Sequence, residues 1–182
     1  MAKKFKTRLE SQITMTQLML PSHSNFSGKI HGGFILNLMD QIAFACASKH
    51  SENYCVTASV NKVDFLNPIE VGELVHLKAS VNYTGKTSMV VGVRVEAENI
   101  HTRKIKHCNS SYFTMVAKDK DGHNTIIPGL ILTSVDDVRH FARSIRRQNE
   151  SRQREDAFDP ANFRMSDHVE TLKGHNLKME LE

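Results

Sequence analysis

The chain has 182 residues, 40% of them hydrophobic and 24% charged, with a formal net charge of +4. These are the proportions of a soluble globular protein with one domain and an appendage. No apolar stretch approaches the ~20 residues that span a bilayer, and no apolar segment of signal-peptide type follows the basic start MAKKFKTRLESQ. Cys46, Cys55 and Cys108 are scattered and odd in number, which speaks against a disulfide framework. A cytoplasmic protein without membrane insertion is expected.

Residues 1–12 are polar and read as a flexible N-terminus. ITMTQLML (13–20) has the β-branched and apolar content of a strand, and PSHSNFSGK (21–29) has loop chemistry. From Gly32 to about His50 the apolar run is too long for a strand, so it predicts a helix. That helix is apolar nearly all round, the pattern of a core helix. Strands follow at 54–66, 74–83, 87–98 and 105–119. In the second of these, Leu74, His76, Lys78 and Ser80 alternate with Val75, Leu77, Ala79 and Val81. A long helix and consecutive antiparallel strands predict an α+β domain over residues 1–123, with the sheet wrapped around the helix. Residues 124–182 read as a linker and a charged extension, helical over 134–156, where Ser134, Asp136 and Asp137 mark an N-terminus.

Asp40 is the anomaly. An ionised carboxylate inside an apolar helix is costly unless it is paired, protonated, or facing water or an interface. The structural alternative is a salt bridge or a cap; the functional one is a general base in a cleft. Gly32 and Gly33 leave backbone N–H groups uncovered at the helix start, where they can bind an anion or stabilise a developing oxyanion. A carboxylate base and an oxyanion site together suggest hydrolysis of an acyl group by water. Asp40 lies seven residues past Gly33, roughly 10 Å along the axis. One helix therefore does not present both groups to one atom, and the expectation is that Asp40 faces the helix N-terminus of a second subunit across a two-fold axis.

At this point the residues resemble a known family. Asn25, Gly28, His31-Gly32-Gly33 and Met39-Asp40 are similar to the motif of hotdog-fold acyl-CoA thioesterases, the cytosolic (brain-type) acyl-CoA hydrolases in particular. The likeness continues through VTASVNKVDFLNPIEVGE (56–73), TGKTSMVVGVRV (84–95) and SYFTMVAKDKDG (111–122). The resemblance implies a hotdog fold and a dimer, usually assembled as a trimer of dimers. It also implies hydrolysis of acyl-CoA to free fatty acid and coenzyme A, with no cofactor beyond the coenzyme A of the substrate. It makes Asp40 the base toward water, gives Asn25 a part in the opposite subunit's site, and puts the thioester carbonyl at the backbone of Gly32 and Gly33. His31 is read as a pocket wall. Thr57, Ser59, Thr87 and Ser88 are candidates for pantetheine contact, and Lys86 and Arg103 for the coenzyme's phosphates; the alternative for each is an ordinary strand or turn residue.

Neither zinc-type spacing among the His and Cys residues nor a glycine-rich phosphate loop or serine-nucleophile motif is present in the sequence. A metal site and nucleic-acid binding are not expected. The alternative function is a non-catalytic acyl-CoA sensor on the same fold. A regulator of that kind that binds DNA would carry a helix-turn-helix unit, and the twelve residues before the first strand are too few for one.

Overall fold

The computed structural model describes residues 4–156, 164, 169–172 and 175–178. The chain divides into two compact units, Met1–Ile145 and Arg146–Glu182. The first holds β1 (Phe5–Thr7), α1 (Arg8–Ser11), β2 (Ile13–Leu18), α2 (Gly32–Ser51), β3 (Tyr54–Val60), β4 (Leu74–Thr84), β5 (Ser88–Glu98), β6 (Ile105–Lys118) and β7 (Gly129–Ile131). Helix α3 (Val135–Asp156) begins in it, and α4 (Val169–Leu172) lies in the second. Among the described residues no helix is long and apolar enough to cross a membrane.

Five antiparallel strands form one curled sheet in the order β2-β4-β5-β6-β3. The alternation read in β4 is the alternation seen: Val75, Leu77, Ala79 and Val81 point inward and are buried. With Met89, Val91, Val93 and Val95 of β5, and Phe113 and Met115 of β6, they receive Ile35, Leu38, Met39, Ile42, Ala43 and Cys46 of α2. Each large apolar side chain fully removed from water contributes about 1.5–3 kcal/mol, so this helix–sheet contact is the main source of stability.

Helix α2 is not covered on every side. Leu36 and Phe44 are 37% and 38% exposed, and Asn37, Asp40 and Gln41 lie beside them on the open face. Five strands reach only part of the way round the helix, and β3 is the edge strand on that side, with Thr57 to Val60 exposed. Strand β3 is also shorter than the sequence suggests. It bulges between Thr57 and Ser59, and its regular pairing ends at Val60, although the Asn61 and Leu66 N–H groups still donate to the Tyr112 and Cys108 carbonyls of β6.

The N-terminal segment, expected to be flexible, forms β1 and α1. Strand β1 pairs in parallel with β7, which lies in the segment read as linker. Lys6 donates to the Lys49 and His50 carbonyls and pairs with Glu52 at 2.8 Å. A cation thus meets the unsatisfied carbonyls at the C-terminus of α2. Hydrogen bonds from Lys4 and then Lys6 hold the Glu52 carboxyl down at about 2. Buried His50 has Nε2 3.1 Å from the Pro128 carbonyl and Nδ1 3.1 Å from the Ser11 hydroxyl. A carbonyl only accepts, so Nε2 carries the proton and Ser11 donates to Nδ1. A polar sequence reads as mobile when the partners that pin it lie some forty residues away.

Candidate active site

The loop before α2 is built on Asn25. Its Oδ1 accepts from the Ser27 and Lys29 backbone N–H groups at 3.0 and 3.2 Å and from the Ser27 hydroxyl at 2.7 Å. The turn closes through Gly28, whose φ of +77° favours glycine. Asn25 thereby spends its acceptor on the loop and keeps its NH2 group for other partners. Beside it, Phe26 stands fully exposed.

His31 is the N-cap of α2, and its Nδ1 accepts the Gly33 N–H at 3.0 Å. The two glycines make room for two different rings. A Cβ on Gly33 would come within 3.1 Å of His31 Nδ1, and one on Gly32 within 3.2 Å of the Phe65 ring. Gly32 and Phe65 line a cleft of about 380 Å³ together with Ile30, Ile35, Leu66 and Ile69. His31, read from the sequence as a pocket wall, is not among the residues lining this cleft of the single chain, where it caps the helix. His23 stacks on Phe34 with 3.9 Å between centroids, a contact with no signal in the sequence.

Asp40 sits on the open face of α2 and is exposed. In one copy of the chain it therefore carries no large desolvation cost. The Thr57 hydroxyl donates to Asp40 Oδ1 at 2.7 Å, across from helix to edge strand. One turn further along, Phe44 meets Tyr54 edge-on at 5.6 Å. The Thr57 contact fixes one carboxylate oxygen and leaves Oδ2 directed by the same geometry. Chemically this is an oriented acceptor on a surface that is open in the single chain.

The other candidates are spread out. Ser59 is exposed just past the β3 bulge. Lys86 and Thr87 lie in the β4–β5 turn, where their carbonyls accept from the Ile127 and Ala117 N–H groups, and Ser88 opens β5. Arg103, at φ +56°, lies in the β5–β6 turn. Strand β5 has 11 residues and separates the two turns by roughly 33 Å. Lys86 and Arg103 therefore do not form one phosphate-binding cluster within a chain. Among the described residues, Asp119, Asp121 and His123 meet at an exposed turn. Asp119 Oδ1 there already accepts from the backbone of the other two.

A model of the thioesterase superfamily matches residues 27–104. The protein VdlD of Helicobacter pylori is 40% identical over 138 residues, covering 76% of this chain and 79% of that one. A hexameric acyl-CoA thioesterase structure superposes with a TM-score of 0.81 at 33% identity, over 84% of this chain and 97% of the other. The acyl-CoA hydrolase of Staphylococcus aureus, solved with butyryl coenzyme A and coenzyme A, gives a TM-score of 0.78 at 27% identity, over 92% and 98%. That hydrolase has also been solved with an asparagine, an aspartate or a threonine replaced by alanine. The likeness in sequence spans the cap, the open helix face and the strands that hold them, and the chain belongs to the thioesterase superfamily on the hotdog fold.

Proposed function

We propose that the protein hydrolyses acyl-CoA thioesters to free fatty acid and coenzyme A, with Asp40 as the base for the attacking water. The observation that carries this reading is the Thr57–Asp40 hydrogen bond of 2.7 Å on the open face of α2. The three residues replaced in the Staphylococcus aureus enzyme are spaced by 15 and 17 positions, and the same spacings separate Asn25, Asp40 and Thr57.

The free oxygen of Asp40 takes a proton from water as the water attacks the thioester carbon. The carbonyl oxygen becomes an oxyanion, for which backbone N–H at the start of α2 is a preorganised donor. Collapse expels the coenzyme A thiolate, a far weaker base than an alkoxide that leaves without a strong acid, and it is reprotonated from solvent. No covalent intermediate and no cofactor enter the scheme. Gly33 and Asp40 are roughly 10 Å apart along one helix, so the carbonyl is held by the α2 N-terminus of a second copy. The exposed apolar residues Leu36, Phe44, Tyr54 and Phe26 supply the material for that contact. Asn25 of the second copy offers its NH2 to the site. A trimer of such dimers accords with the hexameric relative. Ser59, Thr87, Ser88, Lys86 and Arg103 are candidates for coenzyme A contact only when drawn from both copies.

Release of free coenzyme A thiol from a panel running from acetyl-CoA to palmitoyl-CoA tests this, with Asp40→Asn beside the wild type. The carboxamide keeps the shape and loses the base, so the expected loss in kcat is about 10²-fold or more. A wild-type protein that binds acyl-CoA and releases no thiol would refute the reading.

A further inference from the structure

We propose that His31 is a positioning residue for the thioester carbonyl: by taking the Gly33 N–H it leaves Gly32 as the one backbone donor open to the cleft. The inference rests on the hydrolase reading above and adds to it which donor is used and what selects it.

A helix start exposes the N–H groups of its first four residues. In α2, counted from the N-cap, these belong to His31, Gly32, Gly33 and Phe34. Phe34 donates to the His31 carbonyl at 3.0 Å, Gly33 to His31 Nδ1 at 3.0 Å, and His31 itself to the His23 carbonyl at 2.9 Å. Three of the four donors are therefore taken, two of them by His31. Among the described residues, the Gly32 N–H has no acceptor, and Gly32 lines the cleft. Ser, Thr, Asp or Asn usually caps a helix through a side-chain oxygen. Here an imidazole nitrogen does so, and the ring closes over Gly33, where a Cβ would lie 3.1 Å from Nδ1 and 3.2 Å from Cε1.

The consequence is geometric. Two adjacent free N–H groups would let a carbonyl oxygen settle at either, with its carbon displaced relative to a fixed attacking water. One free donor defines one position, and displacement of the reacting carbon by about 1 Å is enough to cost rate heavily. The chemistry also fixes the ring: a nitrogen that accepts carries no proton, so neutral His31 holds its proton on Nε2.

The test compares His31→Ala, His31→Phe and His31→Asn with wild type in thiol release, with circular dichroism and thermal midpoints as the check on folding. The Ala and Phe variants remove the acceptor. They are expected to lose about tenfold in kcat while KM changes less than twofold. The Asn variant offers an oxygen to the same N–H and is expected to recover most of that loss. Nitrogen-15 NMR of labelled wild type should find the neutral His31 ring unprotonated at Nδ1 and protonated at Nε2. Wild-type kcat in the Ala variant would overturn the proposal. So would an Asn variant that folds normally yet stays as slow as Ala, since the role would then belong to the Nε2 proton. A ring protonated at Nδ1 would overturn it as well. If wild type releases no thiol from any acyl-CoA, the hydrolase reading falls and the carbonyl role with it, while the NMR measurement still reports separately on the cap.

Discussion

Thr57→Val isolates the contact between helix and edge strand. Valine keeps the β-branched shape and strand preference of threonine, so the sheet edge is preserved while the donor to Asp40 Oδ1 is lost. A hydrogen bond to a charged group is worth about 1.5–3 kcal/mol when buried. Thr57 and Asp40 are exposed in the single chain, which places this one at the lower end. About 1.4 kcal/mol of lost orientation is a tenfold fall in kcat. Thr57→Ser keeps the hydroxyl and should stay within about threefold of wild type, a difference of roughly 0.7 kcal/mol. The decisive experiment is a double-mutant cycle in thiol release. If Thr57 acts only through the Asp40 carboxylate, adding Thr57→Val to Asp40→Asn costs almost nothing more. If the two losses multiply, Thr57 works on substrate directly and the orienting role is wrong.

Two further outcomes are expected. Leu36→Glu on the open face of α2 places a charge where a second copy would bury it, at a cost of several kcal/mol; sedimentation should give a smaller species that releases no thiol, and a fully active monomer would refute the shared site. Burial holds the pKa values of His50 and His140 below the ordinary 6.5, so the unfolded chain takes up protons near that pH before the folded one does. Stability is therefore undiminished above about pH 6.5 and falls as the pH drops below it, by at most about 1.4 kcal/mol per pH unit per histidine. The depressed carboxylates Glu52 and Glu96, with ordinary values of 4.5, lose their contribution only at lower pH. Thermal midpoints between pH 7.5 and 5 should fall less steeply in His50→Gln than in wild type, and an unchanged slope would refute the assignment to His50.

What the sequence made legible is what depends on near neighbours. The alternation from Leu74 to Val81 locates β4 because one face of a strand must be buried, and the unbroken run after Gly33 locates α2. Asp40 stood out because a carboxylate in an apolar run needs an explanation. The helix around it is less covered than its apolar sequence suggests, since one chain cannot reveal that its own sheet stops short of covering the helix. Other features rest on long-range contacts with no local signature. Lys6 is fixed by carbonyls of Lys49 and His50, so its segment reads as polar and mobile. Thr57 reads as a candidate for pantetheine contact or as an ordinary strand residue, and nothing local ties it to Asp40 until the fold lays it across from that carboxylate. Lys86 and Arg103 look equivalent as turn cations, and only the length of β5 between them separates their roles.

The two glycines show how little a short motif says about why each of its residues is there. Read as a pair, they are two bare donors at a helix start. In the fold they are unlike: Gly33 is small because the His31 ring lies over it, and Gly32 because the Phe65 ring does. The first ring takes its glycine's N–H, and the second walls the cleft onto which the other glycine opens. The structural unit is thus His31, Gly32, Gly33 and Phe65, the last of which lies 32 residues beyond Gly33 in the irregular stretch that follows β3. A sequence that kept both glycines and lost either ring would keep the pattern and lose the asymmetry. The pattern alone is therefore weak evidence for a thioester site.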